Sequence, residues 1–411
     1  MVAQKTEQRQ NTRRDFLKTT TLLVAGGVLS CSTNEPGADL TPKKSHGLPK
    51  TLPQTIRVRI GKIRAQKTVI DNEPIAKTKQ GWITGLNGFT QSGEKEFVYQ
   101  NQKPISVLIN TETKQISGTL VFVARESISE TAYDIVAHVN IETYLPGVLA
   151  GELYAHWHPT TFAAQAIAAR SYAANQHIER VNRSHFDVED GPSSQMFLGD
   201  VSLKVAHQAV NETRGRVLVW DNNIIPAYYC ACCGGVAATA TDAISGAALH
   251  KIPPLEGRSG NDVCQKLDIH KWRAVRSSRT LRKRLNTYAP KINHKNLNSL
   301  RSIRTIEPSK TNVHGRAIEL TIYDRRKTPF VILAKDFIRA TNMHVQNLPD
   351  PLPIIWSSNL RASKQGSKTE ILGVGMGHGV GLCQYGAQEL ASLGKTWEEI
   401  LNWYYPGAQI V

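Results

Sequence analysis

The chain has no apolar run long enough to cross a bilayer as a mature helix, and no internal repeat. A polytopic membrane protein and a solenoid are thereby excluded. The glycine-rich stretch 373–386 lacks the GK[ST] element, so it is not a phosphate loop. His156-Trp157-His158 lacks the spacing of a helical metalloprotease pair and reads as surface or turn. Acidic residues are the scarcer charge: 34 Asp and Glu stand against 50 Lys and Arg, a formal net charge of +16. Such a chain seeks polyanions, whether nucleic acid, anionic membrane or anionic wall polymer, and charge alone does not choose among them. Aromatic content of 7% and charged content of 20% over 411 residues suit globular folding with room for two domains.

The N-terminal residues supply an address. Thr12-Arg13-Arg14-Asp15-Phe16-Leu17-Lys18 resembles a twin-arginine export signal, and a short apolar run, 22–29, follows. Val28-Leu29-Ser30-Cys31 resembles a lipobox, which makes Cys31 the expected lipidated residue and residues 1–31 the expected signal. Residues 32–54, rich in Pro, Gly, Ser, Thr and Lys, read as a flexible tether. The expectation is an exported periplasmic or cell-envelope lipoprotein held to the membrane through Cys31. Export opposes a nucleic-acid partner and makes disulfides chemically accessible.

Period-two runs such as Ile56-Arg57-Val58-Arg59-Ile60 and Thr119-Leu120-Val121-Phe122-Val123 predict a β-rich domain over 55–140. Beyond it the pattern changes to a mixed α/β domain over 141–411, so the predicted class is α+β. Helices are predicted from Pro159 to about Gln176 and from about Ser202 to Thr213. A strand pair is predicted across Asp221-Asn222-Asn223. The very basic stretch 273–298 reads as exposed helix, and 301–345 as strands. Thr396 with Glu399 forms a capping-box pattern before a last helix that Pro406-Gly407 ends.

Residues 144–176, YLPGVLAGELYAHWHPTTFAAQAIAARSYAANQ, hold the most chemistry. Glu152 stands alone among Val148, Leu149, Ala150, Gly151 and Leu153. An isolated acid in apolar surroundings is a candidate for the raised pKa of a general acid; the alternatives are a cap or a pairing with Arg170. Arg170 lies in an alanine-rich helix, where a guanidinium must find an anion or solvent. A second block, GMGHGVGLCQYGA at 375–387, brings His378, Gln384 and Tyr385 onto glycine turns that let backbone approach a ligand closely. His378 reads as a hydrogen-bond partner of substrate, a metal ligand or an orienting group; Tyr385 as a stacking face or a charge stabiliser. Asp187, Glu189 and Asp190 are alternative second carboxylates, and solvated loop acids are the favoured reading of them.

These motifs resemble the stage II sporulation protein D and amidase-enhancer family. The resemblance rests on residues 139–148, Gly151-Glu152, Ala164-Gln165-Ala166-Ile167-Ala168-Ala169-Arg170-Ser171-Tyr172, Ser194-Gln195 and Cys233-Gly234-Gly235. It continues through Gly377-His378-Gly379-Val380-Gly381, Gln384-Tyr385-Gly386-Ala387 and Tyr404-Tyr405-Pro406-Gly407. It implies an exported lytic transglycosylase that cuts peptidoglycan glycan strands, stripped of stem peptides, to 1,6-anhydro-muramic ends. In it the catalytic acid matches Glu152 and a required arginine matches Arg170. Ser194, Gln195, His378, Gln384 and Tyr385 are the expected substrate-binding residues. A lactyl carboxylate of the glycan is one expected partner for Arg170; a structural ion pair is the other. The family also contains proteins named for enhancing an amidase, which leaves a non-catalytic peptidoglycan-binding partner of a cell-wall amidase as the second reading. No cofactor is required by the chemistry. Some family members hold zinc near the Gly-Gly turn, which makes Cys230, Cys233 and Cys264 a candidate zinc set with His378 as fourth ligand. A Cys233–Cys264 disulfide is the competing arrangement.

Overall fold

The computed structural model describes residues 52–411 apart from 65–67, 79–80, 93–94, 110, 245, 247–249, 259–261 and 295. The twin-arginine stretch, Cys31 and most of the tether lie outside the described residues. Helices and sheets coexist throughout, an α+β fold as predicted.

Residues 55–140 form strands of two sheets. One runs in the order Val188–Glu189, Thr55–Ile63, Tyr133–Asn140, Thr119–Ala124, Glu96–Gln100 and Thr90–Gln91; the other comprises five strands between Thr68 and Ile116. Alternation along Thr55–Ile63 buries Ile56, Val58 and Ile60 on one side, as the period-two pattern requires. The strand Tyr133–Asn140 then passes directly into α1 (Ile141–Glu152), where the Asn140 side chain accepts from Glu142 N at 2.9 Å and caps the helix.

Helix α2 (Pro159–Arg180) begins with proline in its first turn and is longer than predicted. Its alanines explain its place. Ala163, Ala166, Ala169 and Ala173 pack into the core beneath the first sheet, while Ala164, Ile167 and Ala168 pack into a second core built from residues 218–244 and 380–408. Small side chains on both flanks allow one helix to serve as the wall between two cores. Helix α3 (Lys204–Glu212) crosses beside it. The expected strand pair is Leu218–Trp220 with Asn223–Ile224, turned by Asp221 and Asn222 at φ 46° and 56°; Gln409–Ile410 pairs on its other side.

Residues 271–371 build a third core and a six-stranded antiparallel sheet, in the order Lys271–Ser277, Lys368–Val374, Leu360–Gln365, Thr305–Thr311, Ala317–Tyr323 and Pro329–Leu333. Helices α4 (Ser278–Tyr288) and α5 (Ala334–Asn342) pack on it. The basic stretch 273–298 is thus only partly helical. Its first residues are a strand because they pair with Lys368–Val374, an interaction distant in sequence that overrides local propensity. The stretch 301–345 likewise holds α5 as well as strands. Helices α6 (Gln384–Ser392) and α7 (Trp397–Tyr404) close the chain, α7 with the predicted Thr396–Glu399 capping box.

Arg316 clasps this third unit to the second core. It is buried, donates to Cys233 O at 2.8 Å, Val236 O at 3.1 Å and Gly377 O at 3.1 Å, and meets Ser358 Oγ at 3.1 Å. Arg316→Leu leaves three carbonyls, one buried and two partly buried, without this donor and is expected to lower unfolding free energy by about 3 kcal/mol. A urea midpoint unchanged from wild type would refute that role.

Candidate functional site

Glu152 closes α1 and is buried. Its Oε1 accepts from the backbone N–H of Met196 at 3.0 Å, and its Oε2 accepts from Gln384 Nε2 at 3.1 Å. Three segments therefore meet at one carboxyl group: the end of α1, the 190–197 loop and the first turn of α6. Gly151 makes this approach possible. A Cβ there would lie 2.9 Å from Met196 Cβ and 3.2 Å from Met196 O, so any side chain would push the loop off the helix.

Gln195 holds that loop from beneath. It is fully buried, donates to Ala169 O at 3.2 Å and Tyr229 Oη at 3.0 Å, and accepts from Tyr144 Oη at 3.0 Å. With its polar atoms so engaged, it acts by positioning Met196 rather than by reaching outward. Ser194 Oγ lies 3.4 Å from Tyr172 Oη on the same loop. Tyr385, next to Gln384, joins an aromatic group with Trp157 (centroids 5.0 Å apart) and Tyr154 (6.4 Å), and its hydroxyl meets that of Tyr154 at 3.4 Å. Tyr154 and Tyr385 are half-buried, one two residues after Glu152 and the other next to Gln384. Trp157 and Tyr154 were missed in the sequence; an aromatic pair within five residues of a lone acid was the available signal.

Arg170 is not at this place. Its Nε and Nη2 grip Glu142 at 3.0 and 2.7 Å, and its remaining donors face Thr213 Oγ1, Arg216 O and Val210 O at 3.2–3.5 Å. All five N–H groups are engaged and the side chain is fully buried. The pairing joins the start of α1, and ten residues of helix, about 15 Å, separate Glu142 from Glu152. Of the two partners expected for Arg170, the structure has the ion pair, and it is made with Glu142. Asp187, Glu189 and Asp190 are also taken up: Asp187 by Arg57 and His177, Glu189 by Arg59 and Lys62, Asp190 by Lys114 and Phe197 N.

The glycine block turns sharply, with positive φ at Gly375, Gly377, Gly379 and Gly381. His378 sits within it, half-buried, its Nδ1 accepting from Val380 N at 3.0 Å. Desolvation, and then the nearby Arg316 guanidinium, push its pKa down to about 4, so the ring is neutral at neutral pH.

The cysteines gather differently from the set read in the sequence. Sulfurs of Cys233, Cys264 and Cys383 and a carboxylate oxygen of Asp262 all lie within 4.8 Å of one another, buried. Cys230 and His378 stand outside this group; burial raises the Cys230 thiol to about 11. Cys230 pairs with Cys383 in a short parallel ladder, yet only the Cys383 sulfur joins the group. Cys233 and Cys264 are free thiols with sulfurs 3.5 Å apart, so the disulfide is not formed. Backbone N–H groups point at the sulfurs: Gly235 to Cys264, and Cys233 and Gly386 to Cys383, each at 3.3 Å. Asp262 also accepts from Tyr404 Oη at 2.9 Å and pairs with Arg258. Three thiols, a carboxylate and aimed N–H donors suit a tetrahedral zinc ion, so the residues present fit the group.

The family model described as Stage II sporulation protein matches residues 129–220, and a domain of unknown function matches 255–381. An uncharacterized protein of Brachyspira hyodysenteriae is 30% identical over 278 residues, 67% of this chain and 68% of that protein. Stage II sporulation protein D of Bacillus subtilis is 24% identical over 78% of this chain and 86% of its own length. The amidase enhancer of Bacillus subtilis is 25% identical over 65% of this chain, and the match spans 40% of that longer protein. The chain belongs to the stage II sporulation protein D and amidase-enhancer family.

His378 gives a pH test. Its folded pKa is depressed, so the unfolded chain takes up a proton first as pH falls. Stability is therefore expected to drop as pH falls from about 6.5 through about 4, and His378→Asn to flatten that slope. Identical pH profiles of the melting temperature for the two proteins would contradict the assignment.

Proposed function

We propose that the chain is an exported peptidoglycan lytic transglycosylase with Glu152 as its single acid and base. The observation that carries this reading is the buried Glu152 carboxyl, held on one oxygen by Met196 N–H and on the other by Gln384, beside half-open aromatic rings. Glycoside hydrolysis commonly uses two carboxylates, one to protonate the leaving oxygen and one as nucleophile or base. The neighbouring acids Asp187, Glu189 and Asp190 are committed to ion pairs, which favours a reaction needing one. In that reaction Glu152 gives its proton to the glycosidic oxygen as the C1–O bond breaks. The carboxylate then takes the proton of the muramic C6 hydroxyl, whose oxygen bonds to C1 and closes the 1,6-anhydro ring. Met196 and Gln384 fix the carboxyl through both proton transfers. Tyr154 and Tyr385 offer faces for the sugar, and the Arg170–Glu142 pair holds α1 in place.

The same reading includes export, attachment to the membrane through lipid on Cys31, and a glycan already free of stem peptides. Among the described residues no helix is long and apolar enough to cross a membrane. The second reading, a peptidoglycan-binding partner of a cell-wall amidase, is favoured by the likeness to the amidase enhancer. Mature protein and its Glu152→Gln variant, incubated with glycan strands with and without stem peptides, separate the two. Anhydro-ended fragments by mass spectrometry from wild type alone support the transglycosylase, with the variant at least about a thousandfold slower. Intact strands with both proteins, still bound, support the amidase partner.

We also propose zinc at Cys233, Cys264, Cys383 and Asp262. There it would act structurally, tying the Gly234–Gly235 turn and the 262–264 turn to the start of α6, one residue from Gln384. Elemental analysis is expected to find about one zinc per chain, kept in Cys230→Ser and lost in Cys383→Ser. A metal-free protein with a Cys233–Cys264 disulfide would reverse this assignment.

A further inference from the structure

Nearly all the net charge of the chain lies in its third unit. Residues 271–371 carry twenty-one Lys and Arg against six Asp and Glu, and the other residues carry twenty-nine against twenty-eight. Not all of these cations are available. Arg276 and Arg284 are held by backbone carbonyls around residues 343–353, and Arg316 by the second core. Lys271, Arg273 and Arg339 pair with Asp268, Glu370 and Asp336.

A different set remains. Arg301 and Arg304 lie on the loop entering the strand Thr305–Thr311, and Arg325, Arg326 and Lys327 on the turn after Ala317–Tyr323; all five are exposed. The two segments touch: Arg304 N donates to Tyr323 O at 2.7 Å, and Arg325 N to Ser302 Oγ at 3.0 Å. The one acid in the turn, Asp324, is turned inward and accepts from the backbone N–H of Arg326 at 2.8 Å and Thr328 at 2.9 Å. None of the five cations has an acidic partner among the described residues. Five unneutralised charges on two adjoining loops raise the local potential well above that of a mixed surface. Four are guanidinium groups, whose fork matches carboxylate oxygens.

We propose that this cluster is a second glycan-holding site, which binds the lactyl carboxylates of a peptide-free strand at a distance from Glu152. This rests on the glycan-cleaving reading above. Glycan without stem peptides is a linear polymer with a carboxylate at every muramic residue, a polyanion that a cluster of unpaired cations complements. Neither loop offers a wedge for a bilayer: Ile303, the lone aliphatic residue in 301–304 and 324–328, is buried. The third unit is fixed to the backbone of the glycine block through Arg316 to Gly377 O and Trp272 Nε1 to Gly375 O at 2.9 Å.

The test uses full mature protein in a Glu152→Gln background, so that strands stay whole. Arg301, Arg304, Arg325 and Arg326 are each changed to Gln in one variant and to Lys in another, with melting temperatures compared to the parent. Binding is measured to peptide-free glycan strands and, separately, to vesicles of phosphatidylglycerol and phosphatidylcholine. The Gln variant is expected to bind glycan about tenfold more weakly at low salt, with the difference fading toward roughly 0.5 M salt. The Lys variant is expected to retain most of the binding. Glycan binding unchanged in the Gln variant overturns the proposal, as does a loss confined to vesicles, which would make the cluster a membrane contact. Cleavage by wild type reports separately on Glu152, so a failure there leaves this result readable.

Discussion

The buried pair between Arg170 and Glu142 sets the frame on which the candidate site depends. A guanidinium with no exposure must satisfy five donors, and this one does so across α1, α2, the end of α3 and the turn at 213–216. Such a pair is costly to break from the Glu142 side, because Arg170 left alone is a buried charge. Its effect is geometric. It fixes the start of α1 against α2, and the rigid helix carries that constraint to Glu152 at its far end. Arg170 thus bears on Glu152 through the helix rather than by contact.

Much of the fold was legible. The β-rich first part, α2, the Asp221-Asn222 turn and the α7 capping box follow from local rules of period, capping and turn chemistry. The basic stretch 273–298 was not, because its first residues are held as a strand by partners nearly a hundred residues away. Of the site, the lone Glu152 and its partner Gln384 were visible as isolated polar residues in apolar or glycine-rich surroundings. Which donors reach the carboxyl was not visible, since Met196 contributes a backbone N–H that no side-chain pattern announces. The cysteines illustrate the same limit. The family resemblance pointed to Cys230, yet it is the Cys383 sulfur, on the strand paired with Tyr229–Cys230, that stands in the cluster.

The three units divide the physical work. The second core supplies glycine turns, thiols and the helix that presents Gln384. The first sheet and α1 supply the acid. The third unit supplies charge and almost no other chemistry. Alanine is what lets these meet, since α2 borders two cores with side chains too small to hold them apart.

The hydrogen bond from Gln384 to Glu152 spans 232 positions of sequence. A chain threaded or synthesised from its N-terminus therefore presents its acid long before it presents the group that steadies it. Any fragment ending before α6 would lack both that second donor and the part of the second core that packs on α2. The completed carboxyl site is in this sense a report that the chain as far as α6 has arrived.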